Sequence, residues 1–547
     1  MSVVKIIIIS FFSIIIGVYG CKNNMPVRSN DYNYYTNKNY TDLKLDSATI
    51  DVYLKSSHLN DSIQNELKDF YSKRAYQFAW FNKDGMVDAA NIFYNQILNY
   101  TTDFRDTVFN NVEIDSLLTV VKDNKNPFPE KSININRLEL LLTSTYFQYA
   151  QKVYGGTTSS LKDLEWFIPR KKKDYKKLLD SLVLSSNGQT IQEPVNLFYT
   201  QLKGKLKQYR QIQKNGGLPT IICKNKLMKE GDLDSCLTAI KQSLFLTGDL
   251  LANNKSIVFD GFLHNAINHF QYRMGLKESG SIDVLTMAEL NQSIDFRIQQ
   301  IMVNMERLRW MPQKMDNDYL LINIPEYRLH VYENGITNWN MNVVVGKAAT
   351  QTSIFKGGIS EIVLNPYWNV PTSIVNNEVL PHLKRNASYI NRNNMEIRSG
   401  NIIINPSSIN WKKFKKTIPY TVRQKPGNNN SLGKIKFLFP NSFNIYLHDT
   451  PSKDLFGETK RAFSHGCIRI SEPLKLAYYL SKNKAIWSDS RIDSVLTTNN
   501  ETIIPVLNKM PVYITYFTAW VDSDGQLNFR KDIYQLDERL SKEMFGE

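Results

Sequence analysis

The chain has 547 residues, with 67 Lys+Arg against 52 Asp+Glu for a formal net charge of +15. At roughly 150 residues per domain that length suits three or four domains. Hydrophobic residues at 42% and charged residues at 22% exclude wholesale disorder and fibrous architectures. Four cysteines are too few for a disulfide-built scaffold, and one long apolar run, at the N-terminus, excludes a multi-spanning membrane protein. The basic excess suits any polyanion, nucleic acid or a carboxylate-rich polymer alike.

Residues 1–21 read MSVVKIIIISFFSIIIGVYGC, with Lys5 ahead of an eleven-residue apolar core from Ile6 to Ile16. A spanning helix needs about 20 such residues, so this segment is expected to be a secretory signal. Its end, Val18-Tyr19-Gly20-Cys21, resembles a bacterial lipobox, although Tyr19 is bulkier than the usual occupant. The resemblance implies that Cys21 is the lipidated first residue of the mature protein. An uncleaved anchor and ordinary signal-peptidase cleavage are the alternatives. Each reading puts the body outside the cytoplasm, and a periplasmic, membrane-anchored protein is expected. Residues 22–45, rich in Asn, Tyr, Asp and Lys, form a polar tether.

From about Ser47 to Ser185 apolar residues recur at three- and four-residue spacing, as in Leu54, Leu59, Ile63, Leu67 and Phe70, and again from Leu138 to Val153. This predicts amphipathic helices. The basic run Arg170 to Lys173 reads as a solvated helix end, with a polymer-binding patch as the alternative. Between Asp232 and Asn291, Cys236, Ile240 and Leu244 give one helical seam, and Ala266, Ile267 and Phe270 a second. The order FQYRMGL, Gly280-Ser281-Ile282-Asp283, then Thr286 to Leu290 resembles the small three-helix peptidoglycan-binding domain, a generic helical subdomain being the alternative.

After Arg307 to Pro312 the period changes. Short β-type runs follow at Tyr319 to Ile324, Leu329 to Tyr332, Val343 to Val345, Ile362 to Leu364, Ile402 to Ile404 and Phe443 to Leu447, with an Asn334-Gly335 turn. Ile374 to Pro426 interrupts them with charged, Asn-rich sequence, and an insertion of that length is usually a functional lid or disordered.

The chemistry concentrates in IYLHDTPSKDLFGETKRAFSHGCIRIS, Ile445 to Ser471. A free thiol has pKa near 8.5 and needs a neighbouring imidazole to react as a thiolate at neutral pH. Cys467 has His465 two residues before it and His448 nineteen before it, in a chain with only seven histidines. His448 is expected at a strand end, Gly466 permits close backbone approach, and Arg469 adds positive charge favouring a thiolate or a substrate carboxylate. A buried structural cysteine and a zinc site of Cys467, His465 and His448 are the competing readings. The second lacks any HExxH or Cys-x-x-Cys.

H-D-T-P followed by S-H-G-C-I-R resembles the signature of the L,D-transpeptidases of the YkuD type. NPYWNVP (Asn365 to Pro371), QKPGNNNSLGKIKFLFPN (Gln424 to Asn441), WVDSDGQLNFRKDIYQLD (Trp520 to Asp537) and FYSKRAYQFAWF (Phe70 to Phe81) resemble the large periplasmic subclass. The resemblance implies a multidomain α+β protein. Its parts would be a signal or lipobox at 1–21, a tether at 22–45, a helical scaffold domain at 46–215 and a peptidoglycan-binding domain at 216–295. A β-rich catalytic domain at 296–520 would carry a capping lid at about 374–426, and a C-terminal extension would occupy 521–547.

It further implies Cys467 as nucleophile and His448 as general base and acid, with an oxyanion hole from Gly466 and the Cys467 N–H. Arg469 would be the family's arginine, and His465 would stabilise or orient. The third triad group would be the main-chain carbonyl of Asp449, whose carboxylate the sequence leaves undecided, and Tyr446, Trp368 and Asp449 would line the substrate cleft. The implied reaction joins a tetrapeptide stem donor to a stem-peptide amine through a thioester, without cofactor or metal, and carbapenems would acylate Cys467. Rival expectations are a carboxypeptidase or endopeptidase using water, and a non-catalytic wall-binding scaffold.

Outside the cytoplasm a disulfide between Cys223 and Cys236 is favoured over two free thiols. The expected partners are peptidoglycan and the membrane through the N-terminus, with no nucleic acid, for a monomer.

Overall fold

A computed structural model describes residues 41–123, 132–157, 160–170, 172–184, 193–482 and 486–546. The signal, Cys21, most of the tether and Lys171 of the basic run lie outside the described residues. Among the described residues no helix is long and apolar enough to cross a membrane. Two compact units emerge, the first from residues up to 94 with 111–147 and 176–189, the second from 95–110, 148–175 and 190–547.

The first unit is helical. Asp46 and Asn60 cap Ser47–Ser56 and Asp61–Lys73 by accepting from Ala48 N and Ile63 N, both at 3.0 Å. Ile63, Leu67, Phe70 and Tyr71 face the core, as the three- and four-residue spacing requires. The segment Phe70 to Phe81 leads into the hairpin β1 (Phe81–Asn82) and β2 (Gly85–Met86), and buried charge organises it. Glu139, fully buried, accepts from Ala79 N at 2.5 Å, Trp80 N at 2.9 Å and the Tyr71 hydroxyl at 2.7 Å. Arg74 meets Asp180 at 2.8 Å with both side chains wholly enclosed, and also donates to the carbonyls of Gln77 and Phe78. Losing one partner of such a pair costs about 3–5 kcal/mol.

In the second unit three helices, Leu237–Thr247, Gly261–Met274 and Val284–Leu290, follow Leu197–Lys214. The residues of the FQYRMGL and Gly-x-Ile-Asp pattern explain their geometry. Gln271 accepts from Ser279 N and Gly280 N and donates to Ser281 O and the Thr286 hydroxyl. Asp283 caps the third helix through Thr286 N at 2.7 Å, and Arg273 pairs with Asp249 in the interior. Cys223 and Cys236 are joined in a disulfide, their Cα atoms 5.3 Å apart.

The helix Ile294–Trp310 leads into a closed β-barrel. Around it run β12 (Ile435–Leu438), β13 (Leu447–His448), β15 (Ile468–Ile470), β6 (Ile336–Gly346), β5 (Arg328–Glu333), β4 (Tyr319–Asn323), β16 (Thr502–Thr515) and β7 (Ile354–Leu364). β7 pairs back onto β12, Ile435 opposite Leu364, so the ring closes and leaves no open edge there. β3 (Trp166–Phe167) adds in parallel to β7, and β14 (Ala462–Ser464) to β6.

The expected run Phe443 to Leu447 is strand only at Leu447–His448. The Asn441 side chain accepts from Phe443 N and Ile445 N and turns the chain there, with Asn444 at φ 55°.

The insertion is ordered, and its sheet begins earlier than expected, at Trp368. β8 (Trp368–Asn369), β9 (Met395–Ser399), β10 (Ile402–Ile404) and β11 (Thr421–Gln424) form a separate sheet in the order β10-β9-β11-β8. Val375, Val379, Leu380, Leu383, Ile397, Trp411 and Val422 close a small core of its own.

Candidate active site

Strand register assembles the site. β13 and β15 run parallel with Leu447 opposite Ile468 and His448 opposite Arg469. β12 places Lys436 opposite His448, and β6 places Val344 opposite Arg469. Because side chains alternate with period two, Lys436, His448 and Arg469 form one row on one face. The same alternation sets Tyr446 and Cys467 as the next row on that face, Ile468 N donating to Tyr446 O at 3.1 Å. His448 and Cys467 are therefore diagonal neighbours.

No direct hydrogen bond joins them in this resting state; the thiol instead faces the carbonyl oxygen of Asn444 at 3.6 Å. Resting catalytic contacts are often long and tighten with substrate. Cys467 is partly exposed as a residue, whereas His448 is buried.

His448 Nδ1 lies 2.5 Å from the carbonyl oxygen of Asp449. A carbonyl can only accept, so Nδ1 carries the proton and Nε2 is left as the basic nitrogen. The Asp449 carboxylate is used elsewhere. It accepts from Lys434 N at 2.8 Å and Thr450 N at 2.7 Å and pairs with Lys453 Nζ. Gly433, at φ +62°, packs so close to that carboxylate that any Cβ would overlap it. Asp449 is thus a buried support, not the cleft-lining group expected from the sequence.

Burial pushes the His448 imidazole down from 6.5 to about 3, partly opposed by the Asp449 carbonyl, with Arg469 and Lys436 adding to the fall. Burial also pushes the Cys467 thiol up, while donation from the Tyr446 amide and hydroxyl and the charge of Lys436 favour the thiolate. The resting pair is thiol and neutral imidazole. Lys436 and Arg469 are both lowered by burial. Arg469 Nε is buried without a hydrogen-bond acceptor. Lys436, over the Tyr446 ring at 4.1 Å, is a site residue the sequence did not reveal.

The loop carrying the nucleophile is held rigidly. Gly466 adopts φ +115°, which disfavours any side chain. Its N–H donates to Ser464 Oγ at 3.1 Å, and Ser464 Oγ donates to Cys467 O at 2.5 Å. The Cys467 N–H has no internal acceptor among the described residues and can serve an oxyanion, whereas that of Gly466 is engaged. The Gly466 carbonyl accepts from Thr352 Oγ1 at 2.8 Å, and Thr352 Oγ1 accepts from Gly346 N at 2.9 Å. Tyr534 completes the chain, its hydroxyl donating to Gly346 O at 2.6 Å and accepting from Thr352 N at 3.3 Å. A Cβ at Gly346 would collide with Thr350 O at 2.1 Å.

His465 is engaged with the insertion. Its Nε2 lies 3.3 Å from Glu378 of the insertion, so Cys467, His465 and His448 do not converge as metal ligands. Trp368 sits at the root of the insertion, its indole donating toward the Tyr446 hydroxyl.

Residues 317–504 match the L,D-transpeptidase catalytic domain of the YkuD type, and residues 65–214 match the Scaffold domain. A curated Haemophilus influenzae protein whose name assigns it to the L,D-transpeptidases is 36% identical over 245 residues, covering 44% of this chain and 49% of that protein. This chain thus aligns with about half the length of that relative. Among solved structures, L,D-transpeptidase 1 of Mycobacterium tuberculosis is 14% identical over 37% of this chain and 62% of that one, with a TM-score of 0.17. An L,D-transpeptidase from Stackebrandtia nassauensis is 13% identical over 54% and 97%, with a TM-score of 0.21. The chain carries an L,D-transpeptidase catalytic domain of the YkuD type at residues 317–504, β-rich and preceded by a helical Scaffold domain at 65–214.

Proposed function

We propose that this chain is a peptidoglycan L,D-transpeptidase working through a thioester on Cys467. The observation that carries the reading is the common face of Lys436, His448, Cys467 and Arg469, with the His448 tautomer set by the Asp449 carbonyl. His448 Nε2 takes the proton of Cys467, and the sulfur attacks the carbonyl carbon of the third residue of a tetrapeptide stem. The Cys467 N–H steadies the oxyanion. The imidazolium returns its proton to the nitrogen of the departing D-alanine as the C–N bond breaks. The side-chain amine of a second stem then attacks the thioester. A C–N bond forms, the C–S bond breaks, and His448 passes one proton from nitrogen to sulfur.

Lys436 and Arg469 suit carboxylates of the donor stem. The thioester conserves bond energy, so no nucleotide is consumed. The N-terminal sequence supports export and anchoring at the membrane, with Cys21 as the lipidation site, in a protein acting in the periplasm. A family relative was solved in complex with imipenem, and acylation of Cys467 by carbapenems belongs to this proposal.

Incubation with purified muropeptides tests it. Cross-linked dimers are expected from the intact protein and none from Cys467→Ala, together with a carbapenem adduct by intact mass on the former alone. Trimmed monomers without dimers would mean water is the acceptor. Activity surviving in Cys467→Ala would remove the nucleophile assignment.

A further inference from the structure

The insertion between Trp368 and Pro426 carries ten Lys and Arg residues and only two carboxylates, Glu378 and Glu396. Glu396 is taken, pairing with Arg423 at 2.6 Å and Arg398 at 3.1 Å. Glu378 has no lysine or arginine partner among the described residues; it meets only His465, two residues ahead of the nucleophile, at 3.3 Å.

The local fold explains why it faces outward. Val375–Val379 is a π-helical turn whose two end valines enter the insertion's core, leaving Glu378 between them on the outside. The Glu378 and His465 side chains are 54% and 45% exposed. A pair that exposed contributes at most about 1 kcal/mol to stability, too little to account for the carboxylate as a structural clamp.

The charge around Cys467 is therefore two-sided. The barrel face presents Lys436 and Arg469, which attract carboxylates and repel an ammonium. The insertion presents one unneutralised carboxylate at the nucleophile loop. Of the other acidic groups nearby, Asp449 is bound to Lys453, and Glu501, on the Lys436 side, accepts from Tyr367 N at 2.8 Å. A two-substrate transfer needs that asymmetry, because one partner is a carboxylate-bearing donor and the other a primary amine that arrives protonated.

Resting on the acyl-transfer reading above, we infer that Glu378 is the acceptor-selecting residue and binds the ammonium group of the incoming amine. The bound R–NH3+ gives one proton to solvent through the His465 imidazole, 3.3 Å from the carboxylate. The neutral nitrogen attacks the thioester carbon, forming the C–N bond as the C–S bond breaks. Its second proton passes by way of His448 to the Cys467 sulfur, so one proton is released overall.

The test uses the full chain and a tetrapeptide stem with a free side-chain amine at its third residue. Three readouts are taken for the native protein, E378Q and E378D: the rate of carbapenem adduct formation, the ratio of cross-linked to hydrolysed product, and the acceptor KM. The inference expects E378Q to acylate within twofold of the native rate, while the ratio falls at least tenfold and the acceptor KM rises. E378D should recover part of the loss. An unchanged ratio in E378Q overturns the inference. So does a parallel fall in acylation and transfer, which would make Glu378 a support of the insertion. If the native protein forms no adduct with stem or carbapenem, the acyl-transfer reading falls, and this inference with it.

Discussion

The imidazole of His448 donates from Nδ1 to the carbonyl oxygen of its own neighbour, Asp449, at 2.5 Å. The orienting group of the base is therefore main chain, and no substitution at position 449 deletes it. His448→Gln should lower acylation by about 10²–10⁴-fold, the usual contribution of a positioned acid–base group. Asp449→Ala should behave differently, since its carboxylate serves the amides of Lys434 and Thr450. It should lose about 1–3 kcal/mol of stability through unsatisfied buried donors, with a smaller loss of acylation rate per folded molecule. Carbapenem adduct kinetics beside thermal melting separates the two.

The depressed imidazole predicts the pH response. His448 sits at about 3 in the folded protein against an ordinary 6.5 because burial disfavours its charge. Its contribution to stability is complete above 6.5 and is lost as pH falls from 6.5 toward 3, where the unfolded chain binds the proton more readily. Melting temperature should therefore drop across that window, and His448→Gln should flatten part of the drop. Acylation should need no imidazolium. Its rate should hold level from mildly acidic to neutral pH and climb at alkaline pH as the raised Cys467 thiol ionises. Stopped-flow acylation across pH checks this, and a rate peaking where an imidazolium is required would contradict it.

Tyr534 lies outside the matched catalytic span yet reaches the nucleophile loop through Gly346, Thr352 and the Gly466 carbonyl. Removing its hydroxyl breaks two buried hydrogen bonds, worth about 1 kcal/mol each. Tyr534→Phe should melt slightly lower and acylate several-fold more slowly, with donor KM unaltered. An acylation rate equal to the native protein's would show that the loop holds its shape unaided.

The Cys223–Cys236 disulfide closes a short interval, a sequence separation of 13. In the chain-entropy account, closure of about that length stabilises by roughly 3 kcal/mol. Reduction, or Cys236→Ala, should lower the melting temperature while leaving the Cys467 carbapenem adduct intact in mass spectra taken below the transition.

Much of the site could be read in advance because its chemistry is local. His448, Gly466, Cys467 and Arg469 fall within 22 residues, and the barrel strands carry β-branched runs. What stayed hidden depends on register. Nothing in Gly-Lys-Ile-Lys-Phe-Leu marks Lys436 rather than Lys434 as facing the imidazole until β12 is paired with β13. Ser464, Thr352 and Tyr534 look ordinary in sequence and matter only because distant loops meet. Asn441 shortened an expected strand through a side-chain turn that apolar content does not reveal. β16 is not legible in the sequence, because Pro505 and Pro511 break its pattern. The structure accommodates Pro505 beside a register shift running to Met510.

β16 lies between β4 and β7, and its parallel partnership with β4 links residues near 513 to residues near 321. A nascent chain emerging from its N-terminal side cannot assemble that ring until this late strand has appeared. Tyr534 arrives later still to complete the hydrogen-bond chain that reaches the Gly466 carbonyl. Pairings this remote in sequence are slow to form, so the barrel closes only once nearly the whole chain has been made.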